Sequence, residues 1–183
     1  MSEKTLPFPR GKTYGDRVVT LNDTTAKHLE GQIFEVEDTE HGTGMKVFLR
    51  CVKNDSGGSI TSARRLYKFS TTDLLDFGRR ISGLVHEDGM ICKPMDDAYP
   101  VGTVIVDNDL FYVVEKGLCS ITLEPTTVSL AAGDAVTTDQ SGFLDGAVAG
   151  AGEYVVGIID VDAAVASVDV VVHVAAGLVN SEA

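Results

Sequence analysis

Apolar and polar side chains alternate along much of this chain. In residues 45–52, Met45, Val47, Leu49 and Cys51 fall on one side, and Lys46, Phe48, Arg50 and Val52 on the other. A period of two puts successive side chains on opposite faces of a pleated strand, so this segment predicts a sheet with one buried face. Cys119, Ile121 and Leu123 alternate in the same way with Leu118, Ser120 and Thr122. Gln32–Glu37 sets Phe34 and Val36 against Ile33, Glu35 and Glu37, which predicts an exposed strand. Further strands are expected at Arg17–Leu21, Ser62–Phe69, Arg79–Val85, Thr103–Val106 and Leu110–Glu115.

The stretch Leu130–Val174 holds three apolar runs, Ala135–Thr137, Tyr154–Val161 and Val168–Val174. Between them lie Asp139-Gln140-Ser141-Gly142, Asp145-Gly146 and Gly150-Ala151-Gly152. Glycine reaches the positive φ of tight turns, and Asp and Ser bond to nearby backbone, so these read as turns between strands. Similar turn signals stand at His41–Gly44, Asn54–Gly58, Glu87–Gly89, Asp107–Asp109 and Lys116-Gly117. The last of these is expected to divide two strands of a meander, Leu110–Glu115 and Leu118–Leu123. Thr24–Gly31 reads as one helical turn or a loop, and Thr71–Phe77 as a capped short helix or a loop. The chain is therefore expected to be all-β: a β-sandwich or barrel-like domain with short turns, an extended N-terminal arm and little helix.

Four regions follow from the pattern. Residues 1–16 form a polar arm with Pro7, Pro9, Gly11 and Gly15, in which Leu6, Phe8 and Tyr14 are apolar anchors among Lys4, Arg10 and Lys12. Residues 17–93 form a β-rich lobe of mixed charge, 94–175 an acidic β-rich lobe, and 176–183 a flexible tail. Lys93–Pro100 is the Pro-bounded loop between the lobes.

Charge sharpens that division. Residues 1–93 carry fourteen Lys/Arg and thirteen Asp/Glu, while residues 94–183 carry Lys116 alone against fourteen acids. The net charge of −12 is thus concentrated in the second half. An acidic surface of that kind repels nucleic acid and anionic membrane, so neither is an expected partner. With 183 residues the chain is long enough to bury a core without disulfides. Cys51, Cys92 and Cys119 are widely spaced, which fits reduced core thiols better than a zinc site. The first residues lack the apolar core of a secretory signal, and no apolar run is long enough for a membrane helix, so synthesis in the cytoplasm is expected.

Chemistry is sparse in the sequence. His28, His41, His86 and His173 lie in no metalloprotease or nucleophile-elbow motif, and surface or packing roles are expected for them. Asp96-Asp97, Asp107-x-Asp109 and Asp160-x-Asp162 lack the full spacing of a calcium loop and fit turn chemistry. Gly150-x-Gly152 has no following Lys-Ser/Thr, so it is not a phosphate loop. No catalytic set, cofactor or metal site is expected, and the stretch Leu130–Val174 in particular shows no nucleophile–base pair. The lack of Trp argues against a carbohydrate-binding or hydrolytic β domain, which remains the alternative from another class.

Three stretches carry a resemblance: GTGMKVFLRCVKNDSGGSITSARRLYKF at 42–69, RRISGLVHEDGMICKPMDDAYPVGTVIVDNDLFYVVEKGLCSI at 79–121, and AAGDAVTTDQSGFLD at 131–145. In their order of strands and turns they resemble the decoration, or cement, proteins of tailed-bacteriophage heads. The resemblance implies a non-enzymatic virion protein, often a homotrimer, that binds the major capsid protein on the outside of the shell. The expected capsid-binding residues are Leu6, Phe8, Arg10, Lys12 and Tyr14 in the arm, with Arg64 and Arg65 in the lobe. Another virion part of similar texture, such as a head-fibre base or a tail protein, is the nearer alternative.

Overall fold

The structure, a computed structural model, describes residues 30–38, 41–62, 64–70, 80–84, 91–94, 104–126, 130–138, 141–146, 154–160 and 169–180. Among these residues it is all-β, with no helix. The strands are β1 (Ile33–Glu37), β2 (Lys46–Asn54), β3 (Tyr67–Phe69), β4 (Arg80–Leu84), β5 (Ile91–Pro94), β6 (Leu110–Thr122), β7 (Ala135–Thr138), β8 (Leu144–Gly146), β9 (Tyr154–Ile159) and β10 (Asp169–Asn180). All ten belong to one sheet, ordered β1-β2-β4-β3-β5-β6-β10-β9-β7-β8, and β2 also pairs with β6. That extra pairing brings the run from β2 to β6 back on itself, so the sheet curls into a barrel-like form. The β2–β4 pairing is parallel, and the other strand pairings are antiparallel.

Period two places much of the core. Val47, Leu49 and Cys51 of β2 are buried, and so are Cys119 and Ile121 of β6 and Val170, Val172 and Val174 of β10, but Met45, expected on the buried side, is exposed, and Val52, expected on the other, is buried. The buried side chains join one cluster with Tyr67, Phe69, Ile81, Tyr112, Val136, Leu144 and Ile159. Full burial of one such side chain is worth about 1.5–3 kcal/mol, so this cluster dominates the favourable terms. Phe34 and Val36 of β1 pack against it while Ile33, Glu35 and Glu37 face out.

Five expectations need correction. The two meander strands are one, because Gly117 does not turn the chain. At φ 122° it admits a bulge: Phe48 faces Lys116 and Leu49 faces Val114, leaving Glu115 as the extra residue. The strand expected from Ser62 starts only at Tyr67, since Arg65 N–H bonds back to Ser62 O and makes a turn. Thr103–Val106 contributes only a bridge, Ile105 to Ile60. Asp145-Gly146, read as a turn, lies in β8, where Asp145 faces Thr137 and Gly146 faces Val136. In addition, β10 does not stop at Val174 but continues to Asn180, paired with Tyr154 of β9. The expected arm, Arg17–Leu21, Thr71–Phe77 and the loop 95–100 lie outside the described residues.

Candidate functional site

Of the expected capsid-binding residues, Leu6, Phe8, Arg10, Lys12 and Tyr14 lie outside the described residues. Arg64 and Arg65 sit in the turn before β3. Arg64 Nε is 3.5 Å from Asp169 Oδ2, and its carbonyl accepts from Thr122 N–H. The Arg65 guanidinium lies 3.9 Å from the centre of the Phe143 ring and donates to Ser141 O at 3.4 Å. Leu66 N–H donates to Gly142 O in the same contact. Both arginines thus hold the 62–66 turn against the end of β6 and the turn before β8.

A second constellation was not foreseen. The β1–β2 loop is built on the Asp38 carboxylate. Its Oδ2 accepts from Thr43 Oγ1 at 2.7 Å and Thr43 N–H at 3.3 Å, and its Oδ1 accepts from His41 N–H at 3.2 Å. Gly42 and Gly44, at φ 69° and 67°, let the chain turn around it. Asp38 Oδ1 is also 3.0 Å from His41 Nδ1, and His41 Nε2 is 3.3 Å from Ser120 Oγ on β6. The Asp38 and His41 side chains are only 3% and 13% exposed, so the relay is largely shielded from water. Burial alone would raise the Asp38 pKa, but hydrogen bonds from Thr43 and His41 outweigh it and bring it down to about 2. An ionised Asp38 only accepts, so Nδ1 carries a proton towards it, and in the neutral form of the ring Nε2 accepts from Ser120. The fold thus brings together three polar side chains that the sequence reading did not connect. Nothing in the sequence joins His41 to Ser120, which is 79 residues away. Only the Asp38-x-x-His41 spacing within a turn hinted at the first half.

Around Ser120 the outward face of β6 carries Leu118 and Thr122, with Val171 of β10 directly opposite. Leu118 is buried and Val171 half-buried. Thr122 Oγ1 donates to Asp169 Oδ1 at 2.6 Å, and Asp169 pairs with Arg64. One side of the serine is thus apolar and the other is a polar chain.

At the far end of β2, ion pairs tie strands together. Arg80 reaches Glu30 at 3.3 Å and Asp55 at 3.6 Å, and Lys53 pairs with Asp55. The Lys53 hydrogen bond is the main reason that the Asp55 carboxyl is held below the usual range, with burial opposing it. Arg50 binds Glu115, the bulge residue of β6. Burial, with the charge of Glu30 behind it, pushes the Cys51 thiol up to about 12. Asp107 behaves as a turn residue, accepting from Gly57 N–H at 3.1 Å. Among the described residues, no three His, Cys, Asp or Glu side chains converge as metal ligands.

No protein family matches the chain, and no curated protein matches it. Among solved structures, it is similar to the "N base" of the head fibre protein gp8.5 of bacteriophage phi29, with 16% identity, a TM-score of 0.45, and coverage of 72% of this chain and 98% of that one. At that score and identity the likeness decides neither family nor role.

Proposed function

We propose that this chain is a structural virion protein of a tailed bacteriophage, seated as a homotrimer on the capsid exterior, where it stabilises contacts between major capsid subunits. The observation that supports this reading is where the resembling stretches fall in the fold. Residues 42–69 supply β2 and β3, residues 79–121 supply β4, β5 and most of β6, and residues 131–145 supply β7 and the start of β8. The resemblance therefore runs through the framework strands themselves, and it implies the all-β architecture that these residues adopt. A clamp of this kind works by position: many modest contacts repeated around a shell add up through multivalency, and no turnover is required. Because Arg64 and Arg65 already have partners within the chain, the arm residues Leu6, Phe8, Arg10, Lys12 and Tyr14 carry the main contact with the capsid in this reading.

Deleting residues 2–15 tests it. The truncated protein is expected to stay folded and oligomeric by light scattering, and to lose co-sedimentation with empty heads by at least about tenfold, since anchors of this kind hold most of an interface's energy. Full binding by the truncated protein rules out the arm, and no binding by the intact protein rules out the role. Antibody labelling of intact particles separates a head-surface position from a fibre or tail position.

A further inference from the structure

We propose that Asp38, His41 and Ser120 form a working relay that makes Ser120 a nucleophile towards small uncharged acyl esters. Two elements far apart in sequence supply it: the β1–β2 loop gives Asp38 and His41, and β6 gives Ser120, 79 residues from His41. Asp38 is held by four hydrogen bonds at the base of the β1–β2 loop, His41 follows within that loop, and Ser120 stands near the C-terminal end of β6. The contacts run in the order that base catalysis needs: carboxylate to Nδ1 at 3.0 Å, then Nε2 to hydroxyl at 3.3 Å. The carboxylate fixes Nδ1 as a protonated nitrogen, so that in the neutral ring Nε2 faces the serine with its lone pair. Asp38 is the positioning residue, and His41 and Ser120 are the reacting pair. Leu118 and Val171 border the serine on its apolar side, which suits an uncharged acyl group better than a charged one.

The step balances without any redox partner. Ser120 Oγ bonds to the carbonyl carbon while its proton passes to His41 Nε2. The adduct then collapses, the bond from that carbon to the alcohol oxygen breaks, and the leaving alcohol takes the proton from Nε2. Water, deprotonated by the same nitrogen, cleaves the acyl-serine and restores the hydroxyl. With a fluorophosphonate the first half alone occurs: an O–P bond forms, the P–F bond breaks, fluoride leaves, and the proton goes through Nε2 to solvent.

This inference is independent of the capsid-binding reading, and either can fail alone. The test is to incubate the full-length protein with a fluorophosphonate probe and with p-nitrophenyl acetate, then follow adducts by intact and peptide mass spectrometry. One adduct per chain is expected, mapped to Ser120, with the exposed Ser59 unlabelled. Ser120→Ala is expected to abolish it. His41→Gln is expected to slow it on the order of 10²-fold, the lower range for loss of a general base. Asp38→Asn is expected to slow it and Asp38→Glu to recover part of the rate, a rescue that a merely structural carboxylate would not produce. Absence of an adduct on the wild-type protein, an adduct on another serine, or an unchanged rate in a folded His41→Gln variant overturns the proposal.

Discussion

Asp38 concentrates several physical roles in one carboxylate. It satisfies two backbone N–H groups and one hydroxyl in a tight loop, and it does so while almost fully buried. Hydrogen bonds to a charged acceptor are worth about 1.5–3 kcal/mol each in favourable cases, so Asp38→Asn is expected to cost about 1–2 kcal/mol at neutral pH. The sign of the pH dependence follows from the lowered pKa. The folded value is about 2 against an ordinary 3.8, so the stabilisation is complete above pH 3.8, fades as pH falls, and is gone below about pH 2. Urea midpoints of wild type and Asp38→Asn should therefore differ most near neutrality and converge as acid is added across that interval. A gap that stays constant down to pH 2 would show that the charge is not what holds the loop.

At the level of the strand, β6 shows what alternation reveals and what it hides. The burial of Cys119 and Ile121 was legible because a two-residue period projects directly onto two faces. Lys116-Gly117 was misread for an equally physical reason: a glycine with positive φ serves a turn and a bulge alike, and only the neighbouring strand decides between them. Here β2 decides. A Cβ on Gly117 would stand 3.0 Å from Val47 Cα and 3.1 Å from Lys46 O, so the glycine lets two backbones approach. Gly117→Ala combines that crowding with a strained φ of 122°, and a loss of about 1–3 kcal/mol is expected. Gly58→Ala makes the control, because an added Cβ there meets nothing within 4 Å. Equal urea midpoints for the two variants would remove the bulge from the account. The relay lay further from reach still. Alternation placed Ser120 opposite Cys119 and the turn signal placed His41 in a loop, but the contact between them depends on how β1, β2 and β6 associate, and no local pattern encodes that.

For the molecule as a whole, the question is whether the charge boundary near residue 93 is also a boundary of folding. Several features join the two sides. Residues 91–94 form a single strand, β5, and β2 pairs with β6 from Phe48↔Lys116 to Lys53↔Leu110. One core cluster contains Leu49 and Cys51 together with Cys119, Ile121 and Val172. The charges cooperate in this: Arg50–Glu115 and Arg64–Asp169 each join a base of the mixed-charge half to an acid of the acidic half. If that shared core governs stability, neither half has a complete interior without the other, and unfolding should be a single transition. Cys51 and Cys119 report on the two halves separately, since both thiols are buried in the native state. Pulse alkylation across a urea series, read at each peptide by mass spectrometry, is expected to give the same midpoint for both cysteines. Burial that raises the Cys51 thiol to about 12 also makes its native-state background low, because the thiolate is the reacting form. Midpoints that separate, with Cys119 still protected where Cys51 is fully alkylated or the reverse, would mean two cores that unfold in turn, and the acidic half would then be a domain in its own right.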